Sequence, residues 1–265
     1  MASKCLRQSI PILNRGQGSS RFIEFYDYGA QTVNKNPTVL YVPGFQGSGH
    51  GLKSQDLIKH CQAKDLRYVC YDPEATGESK IEDMSNLEFK NWFEDAKTAI
   101  QMSKSDKIVL VGSSMGGWIS LKMASEFPDL IKGLVLIAPA VNFLRPKYEA
   151  WYKSSSKEIQ KDQDEGKSTI MDASFGLVPV SKSFVDKSVD MELDIEGKLN
   201  IQCPVKIIHG FQDDTVPYED SLKVMKMISH DNVELIYQKS GDHRMQNETG
   251  LELIKRSLDD MLLKL

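Results

Sequence analysis

Gly112-Ser113-Ser114-Met115-Gly116 holds a serine between two glycines at the spacing G-x-S-x-G. A serine at the centre of that spacing becomes an exposed nucleophile when the five residues turn sharply from a strand into a helix. Both flanks are present. The apolar run at 107–111 precedes the motif, and a helical pattern reaching about residue 127 follows it. The turn needs its glycines because a β-carbon there would meet neighbouring backbone. Ser113 is off centre, which leaves Ser114 as the candidate nucleophile. Its chemistry would be acyl transfer through a covalent intermediate.

A serine hydroxyl is a weak nucleophile and needs an adjacent base, itself oriented by a third group. Five histidines are available. His50, His60 and His230 read as surface or partly packed residues, and His209 as a structural turn residue ending a strand. His243 lies in Ser240-Gly241-Asp242-His243-Arg244-Met245, directly after the last apolar strand run. A base after the last strand and an acid after the preceding one give the chain order serine, acid, histidine of α/β-hydrolases. The acid then lies in His209-Gly210-Phe211-Gln212-Asp213-Asp214-Thr215-Val216-Pro217, where Asp213 is the candidate because its spacing H-G-x-x-D-x-x-V-P resembles that of α/β-hydrolases. Asp214 reads as a solvated or turn-bonding carboxylate, and Asp242 is poorly placed to hold the ring of its own neighbour. The acid would fix the imidazole tautomer without taking the proton. Two backbone N–H groups must receive the oxyanion. Met115, after the nucleophile, supplies one, and Phe45, in Pro43-Gly44-Phe45-Gln46-Gly47-Ser48-Gly49, the other.

These residues must be carried by alternating strands and helices. Short apolar runs occur at 38–42, 67–71, 107–111, 134–137, 205–208 and 233–237. Their near-continuous apolarity suits a parallel sheet covered on both faces. Phe89, Trp92, Phe93, Ala96 and Ile100 form a helical stripe, as do Leu251, Ile254, Leu258, Met261 and Leu265. The alternation predicts a doubly wound α/β domain spanning the whole chain. Residues 142–200 break the rhythm and show no clear strand. The stretch is expected to be a helical lid inserted between core strands, with Trp118, Phe143 and Phe175 as candidate substrate contacts; for Trp118 core packing is the stronger reading.

The chain has 265 residues, 40% of them apolar, and a formal charge of −4. That size and composition suit one domain with a sizeable core. A mildly acidic chain offers no electrostatic reason to bind nucleic acid, and no apolar run is long enough to span a bilayer. Cys5, Cys61, Cys70 and Cys203 lack C-x-x-C spacing and are expected to be reduced thiols. Residues 1–23 are basic and acid-poor, as transit peptides are. Residues 9–12 and 22–28, however, read as opening strands of the domain. The location expected is intracellular, mitochondrial or cytoplasmic. No dinucleotide fingerprint, Walker loop or metal-ligand spacing occurs, so no metal or other cofactor is implied.

Gly112 to Trp118, the Cys203-Pro204-Val205 lead into His209-Gly210-x-x-Asp213-Asp214-x-Val216-Pro217, and Asp242-His243-Arg244-Met245 together resemble the mitochondrial α/β-hydrolase-domain palmitoyl-protein thioesterases, known also as mycophenolic acid acyl-glucuronide esterases. Pro43-Gly44, where many hydrolases carry His-Gly, resembles that family too. The resemblance covers roughly residues 37–265. It implies the α/β-hydrolase fold, a triad of Ser114, Asp213 and His243, and an acylated protein or small acyl ester as substrate. The sequence departs at Asp72-Pro73-Glu74-Ala75-Thr76-Gly77-Glu78-Ser79, where Ala75 stands at the first glycine of D-x-x-G-x-G-x-S. A carboxylesterase for acyl glucuronides or xenobiotic esters would use the same triad. A non-catalytic receptor or binding protein of this fold would be expected to lack a triad member. Ring-cleaving and haloperoxidase-like enzymes share the fold, and oligomeric state is not legible.

Overall fold

The computed structural model describes residues 5–12, 21–30, 35–79, 87–173 and 176–265. The chain opens with β1 (Cys5–Ile12), β2 (Arg21–Tyr28) and β3 (Thr38–Val42), then α1 (Leu52–Ala63) and β4 (Tyr68–Asp72). It continues with α2 (Lys90–Ser103), β5 (Ile108–Ser113), α3 (Met115–Glu126) and β6 (Ile131–Ile137). Then come α4 (Leu144–Ser154), α5 (Lys157–Asp164), β7 (Thr169–Ala173), β8 (Gly176–Val180) and α6 (Lys182–Asp186). The last elements are β9 (Val205–Gly210), α7 (Glu219–Met227), β10 (Val233–Gln238) and α8 (Glu248–Leu262).

Eight strands form one sheet in the order β1-β2-β4-β3-β5-β6-β9-β10. β2 is antiparallel to both β1 and β4, and the remaining pairs are parallel. The residues at 9–12 and 22–28 thus belong to the sheet, as strand patterning predicted. Alternate residues of the central strands enter two separate cores. Leu40, Leu110 and Leu134 face α2, α3 and α7, whereas Val39, Val109 and Val135 face α1 and α8. Both faces are covered, which is why β3, β4 and β5 are buried at every residue and carry no period-two signal. All four cysteines are free thiols. Among the described residues, no helix is long and apolar enough to cross a membrane.

Several sequence expectations are corrected. The stretch between β6 and β9 is not purely helical, since β7 and β8 form an antiparallel hairpin there. Met171, Val178 and Val180 point inward and are buried, while Ile170 and Leu177 point out. The period of two is present but runs only five residues per strand, too short to stand out. β6 begins at Ile131, and in α8 the inner stripe is Leu253, Ile254, Leu258 and Met261. Leu265 lies beyond the helix, 43% exposed. Ala75 adopts φ +63°, so the loop after β4 keeps a left-handed turn even without its glycine. An alanine there costs about 1 kcal/mol relative to glycine.

Candidate active site

β5 delivers Ser114 to the carboxyl edge of the sheet, and α3 starts at the next residue. Ser114 itself has φ +55° and ψ −119°, a region that side-chain-bearing residues rarely occupy. The surroundings impose it: its N–H donates to Ile137 O (2.8 Å), and its carbonyl accepts from Gly117 and Ala140. A β-carbon on Gly116 would collide with the carbonyl oxygens of Val42 and Pro43. Glycine there lets the end of β3 press against the helix start. Ser113 belongs to β5 and is buried, which removes it as a nucleophile.

The structure brings Ser114, His243 and Asp213 together. The Ser114 hydroxyl lies 3.1 Å from His243 Nε2, and His243 Nδ1 donates to Asp213 Oδ2 across 2.7 Å. Sequence separations of 129 and 30 residues are closed at the carboxyl edge of the sheet by the ends of β5, β9 and β10, with β6 between the first two. The loops holding acid and base are tied by a glycine pair: a β-carbon on Gly210 would strike Gly241 O. The Asp213 side chain has no solvent exposure, whereas His243 retains 18%. Burial alone would raise the Asp213 carboxyl. Hydrogen bonds from His209, His243 and the Val216 N–H overcome that and hold it well below the usual carboxylate range. Such an arrangement can draw a proton from Ser114 onto His243 while the carboxylate stays ionised.

His209 is the residue that sequence reasoning undervalued. It is not a turn residue but a fully buried member of β9. Its Nε2–H donates to Asp213 Oδ2 (2.9 Å) and Val216 O (3.2 Å), so Nδ1 accepts from the Ser221 hydroxyl at 2.6 Å. This fixes the ring's tautomer and gives Asp213 a second donor. The four-residue spacing from His209 to Asp213 was the available signal. Asp242 instead accepts from the Met245 N–H (2.8 Å), shaping the base loop. His60 pairs with Asp259, and the His50 ring meets Tyr28.

A second missed residue is Lys53, near the start of α1. Its buried ammonium donates to Arg244 O at 2.7 Å, joining the loop that carries Phe45 and its helix to the base loop. Burial lowers this amine to about 8, against the pull of the Asp242 carboxylate. Between about 8 and the ordinary 10.5 the folded protein therefore binds fewer protons than the unfolded chain. The stability penalty of the buried charge is full below that window and is relieved as pH rises through it. Lys53→Met is expected to lack this relief. In thermal melts at neutral pH and near pH 10, wild type should gain stability relative to the variant at the higher pH. Equal shifts in both proteins would contradict the assignment.

Phe45 sits on a loop passing directly over Ser114. A β-carbon on the preceding Gly44 would lie 3.2 Å from Ser114 Cβ and 3.0 Å from Ser113 O. Buried Asp72 holds the far end of that loop by accepting from the Gly49 N–H at 2.7 Å. Met115 is the first residue of α3, a position whose N–H has no acceptor within the helix. Trp118, expected as a possible substrate contact, is fully buried, and its Nε1 donates to Met191 O (2.9 Å). It packs against Phe89, Phe93 and Phe143, and so acts as core. Phe143 is only partly buried and lines a cavity. Phe175 lies outside the described residues. No group of three or more His, Cys, Asp or Glu with metal-holding geometry occurs among the described residues.

Residues 34–250 match the family described as serine aminopeptidase, S33. The chain belongs to this family. It is a serine hydrolase of the α/β-hydrolase fold. Over 233 residues it is 28% identical to the mouse palmitoyl-protein thioesterase ABHD10, mitochondrial, covering 87% of this chain and 77% of that protein. A crystal structure of a putative hydrolase from Agrobacterium vitis S4 superposes with a TM-score of 0.85 at 23% identity, covering 98% of this chain and 99% of that one. The mouse α/β-hydrolase domain-containing protein 10 superposes with a TM-score of 0.80 at 24% identity, over 97% and 99% of the two chains. The resemblance read from the motifs around Ser114, Asp213 and His243 is borne out by these comparisons.

Proposed function

We propose that this serine hydrolase cleaves acyl thioesters, among them S-palmitoylated protein cysteines, and activated acyl esters through an acyl-enzyme on Ser114. The observation that carries the reading is the continuous hydrogen-bond chain from Ser114 through His243 to Asp213. The similarity to proteins named palmitoyl-protein thioesterase supplies the substrate class.

Ser114 Oγ attacks the thioester carbonyl carbon while His243 Nε2 takes the hydroxyl proton. The carbonyl oxygen becomes an oxyanion and accepts from the Met115 and Phe45 N–H groups. Removing one such donor typically costs about 10²–10³ in kcat. The intermediate collapses by breaking the C–S bond, and His243 returns its proton to the leaving thiolate. Water then enters, gives a proton to His243, and attacks the acyl-enzyme. Collapse of that second intermediate frees the fatty acid and restores the Ser114 hydroxyl. Asp213 stays ionised throughout and stabilises the transient imidazolium. A mitochondrial location, carried in the names of these relatives, accompanies the reading.

The test pairs labelling with turnover. A fluorophosphonate probe is expected to label Ser114, and purified protein to hydrolyse a palmitoyl-cysteine peptide with release of free thiol. A higher kcat/KM for an acyl glucuronide than for the thioester would move the assignment to a small-molecule carboxylesterase. An unlabelled Ser114 would overturn both.

A further inference from the structure

A cavity of about 560 Å³ opens between the stretch following β6 and the loop that carries Asp213. Two of its wall residues hydrogen-bond to members of the triad. Ala140, on its wall, donates its N–H to Ser114 O at 3.1 Å. Val216, also on its wall, donates to Asp213 Oδ1 at 2.8 Å. Phe143 completes the inner end, with its ring 6.4 Å from that of Phe45.

We propose that this cavity receives the alkyl chain of the substrate's acyl group. The inference rests on the thioesterase/esterase reading and deepens it. The volume lies within the usual range for small-molecule sites. Beyond Phe143 the wall carries apolar side chains, Leu193, Ile195 and Val224 among them, with charged residues beside them. Its cations are engaged already. Arg145 pairs with Glu192 (3.2 Å), Lys223 with Asp220 (2.7 Å), and Lys147 donates to Thr215 O at 3.3 Å. The cavity is therefore not built to select an anion. Along Phe143, Leu193, Ile195 and Val224 a peptide leaving group would lay backbone polar groups against apolar side chains. An alkyl chain carries no such cost and gains from each methylene removed from water.

Among the described residues, the other side of Phe143 is closely packed. Phe89, Trp92, Trp118 and Phe184 are each at most 5% exposed and interlock with ring centroids 5.1–6.1 Å apart. These four aromatics thus form a filled block. The open space lies towards the acid loop.

Two substitutions test the proposal. Val224→Phe fills the cavity from α7, and Ile195→Asp places a charge on its wall at a residue already 44% exposed. Each is assayed with acetyl, butyryl, octanoyl and palmitoyl thioesters beside wild type, with fluorophosphonate labelling of Ser114 as a parallel readout. The ratio of kcat/KM for palmitoyl over butyryl is expected to fall about tenfold or more. The Ile195→Asp arm keeps the test valid if Val224→Phe does not fold. An unchanged ratio in a folded, labelled variant overturns the cavity assignment and leaves the hydrolase reading intact. So does a change that follows the leaving group instead of the acyl chain. Failure of wild type to be labelled or to cleave any thioester overturns the underlying reading, and the proposal with it.

Discussion

Ser114→Gly and Ser114→Ala are both expected to lose about a million-fold in kcat, and the glycine variant to be the more stable of the two. The activity loss follows from removing the oxygen that, in the proposed mechanism, forms the acyl-enzyme. Members of such a triad act as a unit, so loss of the nucleophile costs about as much as loss of all three. The stability difference follows from φ +55° and ψ −119° at Ser114. A side chain held there costs about 1–3 kcal/mol. Alanine keeps that strain and glycine relieves it, although the added freedom of a glycine in the unfolded chain takes back about 0.5–1 kcal/mol. The net gain of Gly over Ala is about 1 kcal/mol, or a few degrees in Tm for a chain of this size. Turnover of a p-nitrophenyl ester and paired thermal melts check both parts. Near-normal turnover by either variant would remove Ser114 from the mechanism. Equal melting of the two would remove the strain argument.

Asp213→Asn is expected to lower kcat about ten-thousand-fold with the fold retained. The amide can turn its NH₂ towards His243 Nδ1, which then must accept, and Nε2 is left protonated where it should receive the serine proton. The same change carries a pH signature. Asp213 is held below its ordinary value in the folded state by His209, His243 and the Val216 N–H, against burial. Its stabilising contribution is therefore present above the unfolded carboxylate value of about 4 and is lost as pH falls from there through the folded value. Denaturant melts from neutral pH into that acid range should show wild type losing its advantage over Asp213→Asn as pH falls. A constant difference would mean that the ionised carboxylate is not what His209 and His243 stabilise.

Much of the reaction centre was legible because its parts are marked locally. Two glycines flank Ser114 because backbone presses on both sides of the turn, so steric necessity is written into residue identity. Asp213 and His243 follow consecutive strands, and a parallel sheet gathers the ends of such strands along one edge. His209 was misread because its identity says nothing about burial. Only when α7 supplies Ser221 and the acid loop folds back does its ring become a donor to Asp213. Lys53 had no signal at all, since its partner is a carbonyl 191 residues away.

Strand and helix alternation, the elbow and the order of the triad residues were determined by sequence alone, because hydrophobic period, glycine sterics and turn chemistry act over a few residues. Tertiary structure alone decided the β7–β8 hairpin, the second histidine behind Asp213, the lysine strap on the base loop and the side of Phe143 left open. Those depend on how distant elements pack and on which space their side chains leave unfilled, and neither quantity is carried by any short stretch of chain.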